Sequence, residues 1–113
     1  MAKIKTTSRH LLNFSIAGFS YWEGCLVLSE LKPGMQLELV SEEENRYDPC
    51  AIAIYYGDYK LGFVPRSQNK TLSQLMALGY DDIFDARVQR VSPEEHPEQQ
   101  VGVVVFLKNR EDL

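Results

Sequence analysis

Leu12, Phe14 and Ile16 alternate with Leu11, Asn13, Ser15 and Ala17, a period of two that predicts a first strand over residues 11–18. Phe19-Ser20-Tyr21-Trp22-Glu23-Gly24 follows as an aromatic-rich turn ending on glycine. Val27, Leu28 and Leu31 recur at helical spacing and predict a short helix over residues 25–31, stopped by Lys32-Pro33-Gly34. Met35, Leu37 and Leu39 alternate with Gln36 and Glu38 in a second strand, which the acidic run from Ser41 to Glu44 breaks. Residues 51–56 and 60–64 read as a third and fourth strand, joined into a hairpin by Gly57-Asp58. Ser67 or Asn69 is placed to cap a helix carrying Leu72, Leu75, Met76 and Leu78, with Gly79 at its C′ position. Phe84, Ala86 and Val88 oppose Ile83, Asp85, Arg87 and Gln89 in a fifth strand ending at Val91. Residues 92–100 form a Pro- and Glu-rich loop, expected to be mobile, before a β-branched last strand over residues 101–107.

The resulting order is β, short α, β, β, β, α, β, β. It predicts a mainly β fold with two short helices, arranged as a small OB-like, partly closed six-stranded barrel. A split α+β sheet is the structural alternative, because strand order is not written in a single sequence. At 113 residues the chain fits one domain with a real core. Residues 1–10, with Lys3, Lys5 and Arg9 but no periodicity, are expected to be a mobile lead-in; residues 11–108 form the domain and 109–113 a tail.

Charge narrows the function. Twelve basic against sixteen acidic residues give a net charge of −4, the wrong sign for broad coating of DNA, so any nucleic-acid site must be local. Cys25 and Cys50 are expected to be small buried thiols in a reducing cytoplasm, and His10 and His96 lie too far off in sequence to complete a zinc site; no metal or cofactor is expected. No apolar run is long enough to span a membrane or serve as a secretory leader, which predicts a soluble cytoplasmic protein.

Catalysis has little to work with. His96 lies in the acidic loop, His10 at a strand edge, and no Ser, Cys or Lys has a base and an orienting carboxylate nearby in sequence. Asp81-Asp82 and Glu94-Glu95 are adjacent carboxylates that diverge on a strand or point into solvent on a loop, and the scattered glycines make no phosphate-cradling loop. The chain is expected not to be an enzyme.

A binding site is easier to assemble. In Asn45-Arg46-Tyr47-Asp48-Pro49, Asn45 and Asp48 can bond neighbouring backbone groups and Pro49 holds Asp48 extended, so Tyr47 and Asp48 are held stiffly at a strand entrance. Tyr21, Trp22, Tyr47, Tyr55, Tyr56, Tyr59, Phe63 and Tyr80 supply flat faces, and Arg46, Lys60, Arg66 and Lys70 lie near them in sequence. Aromatic faces beside cations suit single-stranded nucleic acid. Tyr55, Tyr56 and Phe63 sit on strands and serve the core equally well, whereas Tyr21 and Tyr47 sit in turns.

The series Ile16-Ala17-Gly18-Phe19-Ser20-Tyr21-Trp22-Glu23-Gly24, Leu31-Lys32-Pro33-Gly34, Asn45-Arg46-Tyr47-Asp48-Pro49-Cys50-Ala51-Ile52-Ala53-Ile54 and Leu61-Gly62-Phe63-Val64-Pro65-Arg66 resembles a HIRAN domain over about residues 12–108. The resemblance implies an OB-like fold. It implies a module that, in eukaryotic fork-remodelling helicases, captures the free 3′ end of single-stranded DNA. Bacterial members occur alone or fused to nucleases and helicases, so a helicase or nuclease partner is implied as well. Carried across by motif, Tyr21 stacks on a terminal base and Tyr47 helps wall the end pocket. Asp48 accepts a hydrogen bond from the 3′-hydroxyl, Asn45 shapes the loop around it, and Arg66 contacts phosphate. The chain departs from the DNA-end-binding members at Ser20, where they carry an arginine, and it sets Glu42-Glu43-Glu44 beside the site. Both features point to weaker DNA affinity, or to a protein-interaction domain of the same fold.

Overall fold

The computed structural model describes residues 9–113. The expected lead-in falls largely on residues 1–8, outside the described residues, while Arg9 and His10 already belong to the first strand. The strands are β1 (Arg9–Ser15), β2 (Gln36–Ser41), β3 (Ile52–Tyr56), β4 (Tyr59–Phe63), β5 (Phe84–Val91) and β6 (Val101–Leu107), with helices α1 (Gly24–Val27) and α2 (Lys70–Ala77). They form one six-stranded antiparallel sheet in the order β1-β6-β5-β2-β3-β4. The fold is mainly β with an OB-like arrangement, as the patterning predicts, and the split α+β alternative falls away.

The sheet curls without closing into a continuous ladder. The outermost segments meet at one bridge, where Ala17 and Phe63 exchange N–H···O bonds of 2.9 Å each. Gly62, beside that bridge, has φ +146°, and a Cβ there would run into the Ala17 carbonyl oxygen and the Ile16 side chain. Only glycine lets the two backbones approach so closely. A bulge in β4 accompanies it: Ile54 faces Gly62 and Tyr55 faces Lys60, leaving Leu61 as the extra residue, fully buried.

The alternating positions supply the core. Phe14 and Ile16, Leu37, and Phe84, Ala86 and Val88 are buried, as their period predicts, and pack with Ile52, Ile54 and the β6 valines. Each of these side chains larger than alanine contributes about 1.5–3 kcal/mol of burial free energy. Helix α2 adds Leu72 to this core and ends in a Schellman motif: Gly79 N–H bonds the Met76 carbonyl and Tyr80 N–H the Leu75 carbonyl, both at 3.0 Å, with Gly79 at φ +90°.

Four expectations need correction. The helix foreseen over residues 25–31 is a single turn, α1, followed by a 3₁₀ turn over Leu28–Glu30, because Val27 at φ −121°, ψ 3° breaks the helical geometry between them. Strand β2 runs on to Ser41, which pairs with Ile52. Cys25 is exposed on α1 and Cys50 only partly buried in a turn, so neither is the buried thiol expected. The loop over residues 92–100 is pinned rather than loose: Ser92 N–H bonds the Gln100 carbonyl (2.7 Å), Arg90 the Gln99 carbonyl (2.6 Å), and the His96 ring accepts from Glu98 N–H (3.2 Å). Glu98 in turn accepts the Gly18 N–H at 3.0 and 3.2 Å, fixing the start of the turn that carries Tyr21.

Candidate nucleic-acid interface

The loop between β2 and β3 is organised by two short side chains. Asn45 Oδ1 accepts the N–H groups of Tyr47 (2.9 Å) and Asp48 (3.1 Å), while its amide donates to Glu42 at 3.1 Å. Asp48 Oδ1 accepts Cys50 N–H at 2.9 Å and its carbonyl accepts Ala51 N–H at 3.0 Å, which carries the chain straight into β3. These are Asx-type turns, in which a short polar side chain substitutes for backbone pairing.

Asp48 Oδ2 is held from the other side. Asn69 Nδ2 donates to it at 2.9 Å, and Arg66 Nε lies 3.6 Å away, its guanidinium also donating to the Tyr47 carbonyl. The Asn69 amide lowers the Asp48 pKa below its ordinary 3.8; partial burial opposes this, and the Cys50 N–H and the Arg66 charge reinforce it. The carboxylate therefore stays ionised at neutral pH as a fixed, acceptor-only group.

Facing it is an aromatic and cationic wall. Trp22 meets Phe63 edge-on at 5.8 Å and 70°, and Lys60 Nζ lies 3.8 Å from the Trp22 ring centroid and 4.5 Å from that of Phe63. Lys60 Nζ also pairs with Glu42 Oε2 at 2.7 Å and is largely withdrawn from solvent. Glu23 ties the Trp22 turn to β4, its backbone N–H bonding the Lys60 carbonyl at 2.9 Å and its carboxylate accepting Lys60 N–H at 3.1 Å. Between this wall and Asp48 lies a cleft of about 390 Å³.

Asn45, Tyr47, Asp48 and Arg66 all line that cleft; Tyr21 does not. Tyr21 stands on the 3₁₀ turn over Phe19–Tyr21, 81% exposed, next to Trp22, which does line it. Tyr47 is 85% exposed. The sequence reading leaves Trp22, Lys60, Phe63, Glu42 and Asn69 out of its site. Trp22 and Phe63 carried a signal, as aromatic residues inside the quoted motifs. Asn69 was masked by its place before a helix: it occupies the N-cap position, with helical φ −93°, ψ −18° and no side-chain cap bond, while its amide N–H donates to Asp48.

Two cations and two carboxylates line the cleft, so the site is close to charge-balanced. Among the described residues no group of three or more His, Cys, Asp or Glu is placed to hold a metal ion, and no helix is long and apolar enough to cross a membrane.

The HIRAN domain pattern matches residues 10–109, nearly the whole chain. The chain belongs to the HIRAN domain family. HIRAN domains are a family of DNA-binding modules. Among solved structures it is similar to a protein from Lactobacillus plantarum, with a TM-score of 0.75 and 25% identity over 90% of this chain and 97% of that one. It is also similar to the HIRAN domain of human HLTF, with a TM-score of 0.61 and 14% identity over 96% of this chain and 86% of that one. The latter likeness concerns the fold. No curated protein matches the sequence.

Proposed function

We propose that this HIRAN domain is a non-enzymatic module that binds the free 3′ end of single-stranded DNA in the cleft between Asp48 and Trp22. The observation that carries the reading is the Asp48 carboxylate, ionised, fixed by Asn69 and Cys50 N–H, and facing an aromatic wall. Each Asp48 oxygen accepts one protein hydrogen bond and retains capacity for another. A terminal 3′-hydroxyl is a donor that an internal phosphodiester lacks. A pocket that presents a fixed anionic acceptor discriminates against a ligand end that brings a phosphate in place of a donor, because the remaining acceptor capacity of Asp48 then meets like charge.

The remaining residues have compatible chemistry. Trp22, Phe63 and the exposed rings of Tyr21 and Tyr47 offer stacking faces for terminal bases, at about 1–3 kcal/mol per stacked base. Arg66, exposed and only partly engaged by Asp48 and the Tyr47 carbonyl, has donors left for a phosphate. With Lys60 already paired to Glu42, few phosphates are neutralised, which favours modest affinity with a shallow salt dependence. In this reading a helicase or nuclease partner supplies any catalytic step.

The experiment is a comparison of one oligonucleotide in linear and circularised single-stranded form, by competition for a fluorescent linear probe. Competition by the linear form alone supports end capture. Equal competition by the circle removes it.

A further inference from the structure

Strands β2 and β5 part company after two residue pairs, Gln36 with Arg87 and Leu37 with Ala86. Beyond that point β2 continues to Ser41 with a partner on one side only, β3. Glu42 N–H bonds the Ala51 carbonyl, so by antiparallel alternation Glu38 and Val40 turn their backbone groups toward β3, and Leu39 and Ser41 turn theirs outward. The same alternation, set by the Lys108 N–H bond to the Ile83 carbonyl, turns the backbone of Phe84 away from β6 and toward the gap. Among the described residues the β2–β5 pairing does not extend to Leu39, Ser41 or Phe84, and no loop hydrogen bond reaches their outward groups.

The free edge runs along two connected clefts. One, of about 480 Å³, lies where β2 and β5 diverge; the other, of about 300 Å³, separates residues 38–41 from Met76 of α2, and both are lined by Glu38, Leu39 and Asp81. Glu38, Asp81 and Asp82 stand around them with exposed carboxylates in no ion pair among the described residues; Lys108 is the single cation lining either cleft. Val40 is 40% exposed beside Met76, giving the edge one apolar station.

We infer that the β2 edge between Glu38 and Ser41 takes an extended, lysine- or arginine-bearing segment of a partner protein as an added strand. Backbone bonds to Leu39 and Ser41 supply the register, so lysines on alternate positions of the added strand share the face of Glu38 and Val40 and the intervening side chains share that of Leu39 and Ser41. Charge complementarity decides the occupant, since an acidic segment would meet three like charges. No residue lining these two clefts lines the Asp48 cleft, so the inference is independent of the DNA reading and allows both ligands at once.

The test uses amide hydrogen exchange and nitrogen-15 shift mapping of the whole chain with two acetylated hexapeptides, one alternating lysine and valine, the other glutamate and valine. In the free protein the Leu39 and Ser41 amides should exchange rapidly while Val40 is protected. Saturation with the lysine peptide should slow exchange at Leu39 and Ser41 at least about tenfold and shift Phe84, with the glutamate peptide inert. The triple variant Glu38→Lys, Asp81→Lys, Asp82→Lys should weaken the lysine peptide about tenfold, as several rim charges acting together would, and leave oligonucleotide binding unchanged. Protected Leu39 and Ser41 amides in the free protein, absence of binding, equal binding of both peptides, or shifts at the Asp48 cleft would each overturn the inference. The wild-type exchange pattern decides the matter even if the triple variant fails to fold.

Discussion

The side-chain amide of Asn69 donates to Oδ2 of Asp48 at 2.9 Å, joining the loop after β2 to the start of α2 across 21 residues. Asn69 is only 3% exposed, and among the described residues Asp48 is the partner of its amide N–H. Asn69→Ala should destabilise the domain by about 1–3 kcal/mol, the cost of orphaning a buried partner, and weaken oligonucleotide binding by freeing the carboxylate. Urea denaturation alongside anisotropy titration measures both. An unchanged unfolding midpoint would show that the bond has no structural role.

The same contact sets a pH dependence. The folded pKa of Asp48 lies below its ordinary 3.8, so its ionised form contributes stability above that value and loses it as pH falls through the lowered one. The difference in melting temperature between the wild type and Asp48→Asn should be constant from neutral pH down to about the unfolded carboxylate pKa, then shrink toward zero. A gap that widens on acidification would reverse the sign and refute the assignment.

Lys60 is wedged between Glu42 and the Trp22 and Phe63 rings. Lys60→Met keeps the aliphatic stem but strands the partly buried Glu42 carboxylate, at about 1–2 kcal/mol, between the values for exposed and buried pairs. Adding Glu42→Gln should recover part of the loss, and the double-mutant cycle should show positive coupling. Trp22 fluorescence should report the change in both single variants.

Gly62→Ala should be costly for a different reason. The backbone at φ +146° and the Ala17–Phe63 bridge leave no room for a Cβ, so a loss of about 2–4 kcal/mol is expected. Exchange at the Ala17 and Phe63 amides should accelerate first, because Gly62 lies directly beside the bridge in which those two amides are bonded.

Much of this architecture was legible in the chain. The two-residue period exposed Phe14, Ile16, Leu37 and Phe84 as core, and Gly79 announced the end of α2 through its backbone geometry. Local turn chemistry likewise marked Asn45 and Asp48. What stayed hidden was long-range. Asn69 reads as a helix cap, through its side-chain oxygen, because local rules do not register the partner of its amide N–H 21 residues away. The Glu98 bond to Gly18 spans 80 positions, so a loop rich in proline and glutamate read as loose when it is tied to the Tyr21 turn. Tyr21 is assigned through its place in a motif, whereas Trp22 lines the cleft because it packs against Phe63 and Lys60 of β4, contacts with residues about 40 positions away.

End recognition by Asp48 is tested most directly by fluorescence anisotropy of one short single-stranded oligonucleotide bearing either a 3′-hydroxyl or a 3′-phosphate, at fixed salt and pH 7. The account predicts that the hydroxyl form binds at least about tenfold more tightly, as expected when a fixed carboxylate meets a phosphate instead of a donor, and that Asp48→Ala removes the preference. Equal affinity for the two ends in the wild-type protein would contradict it.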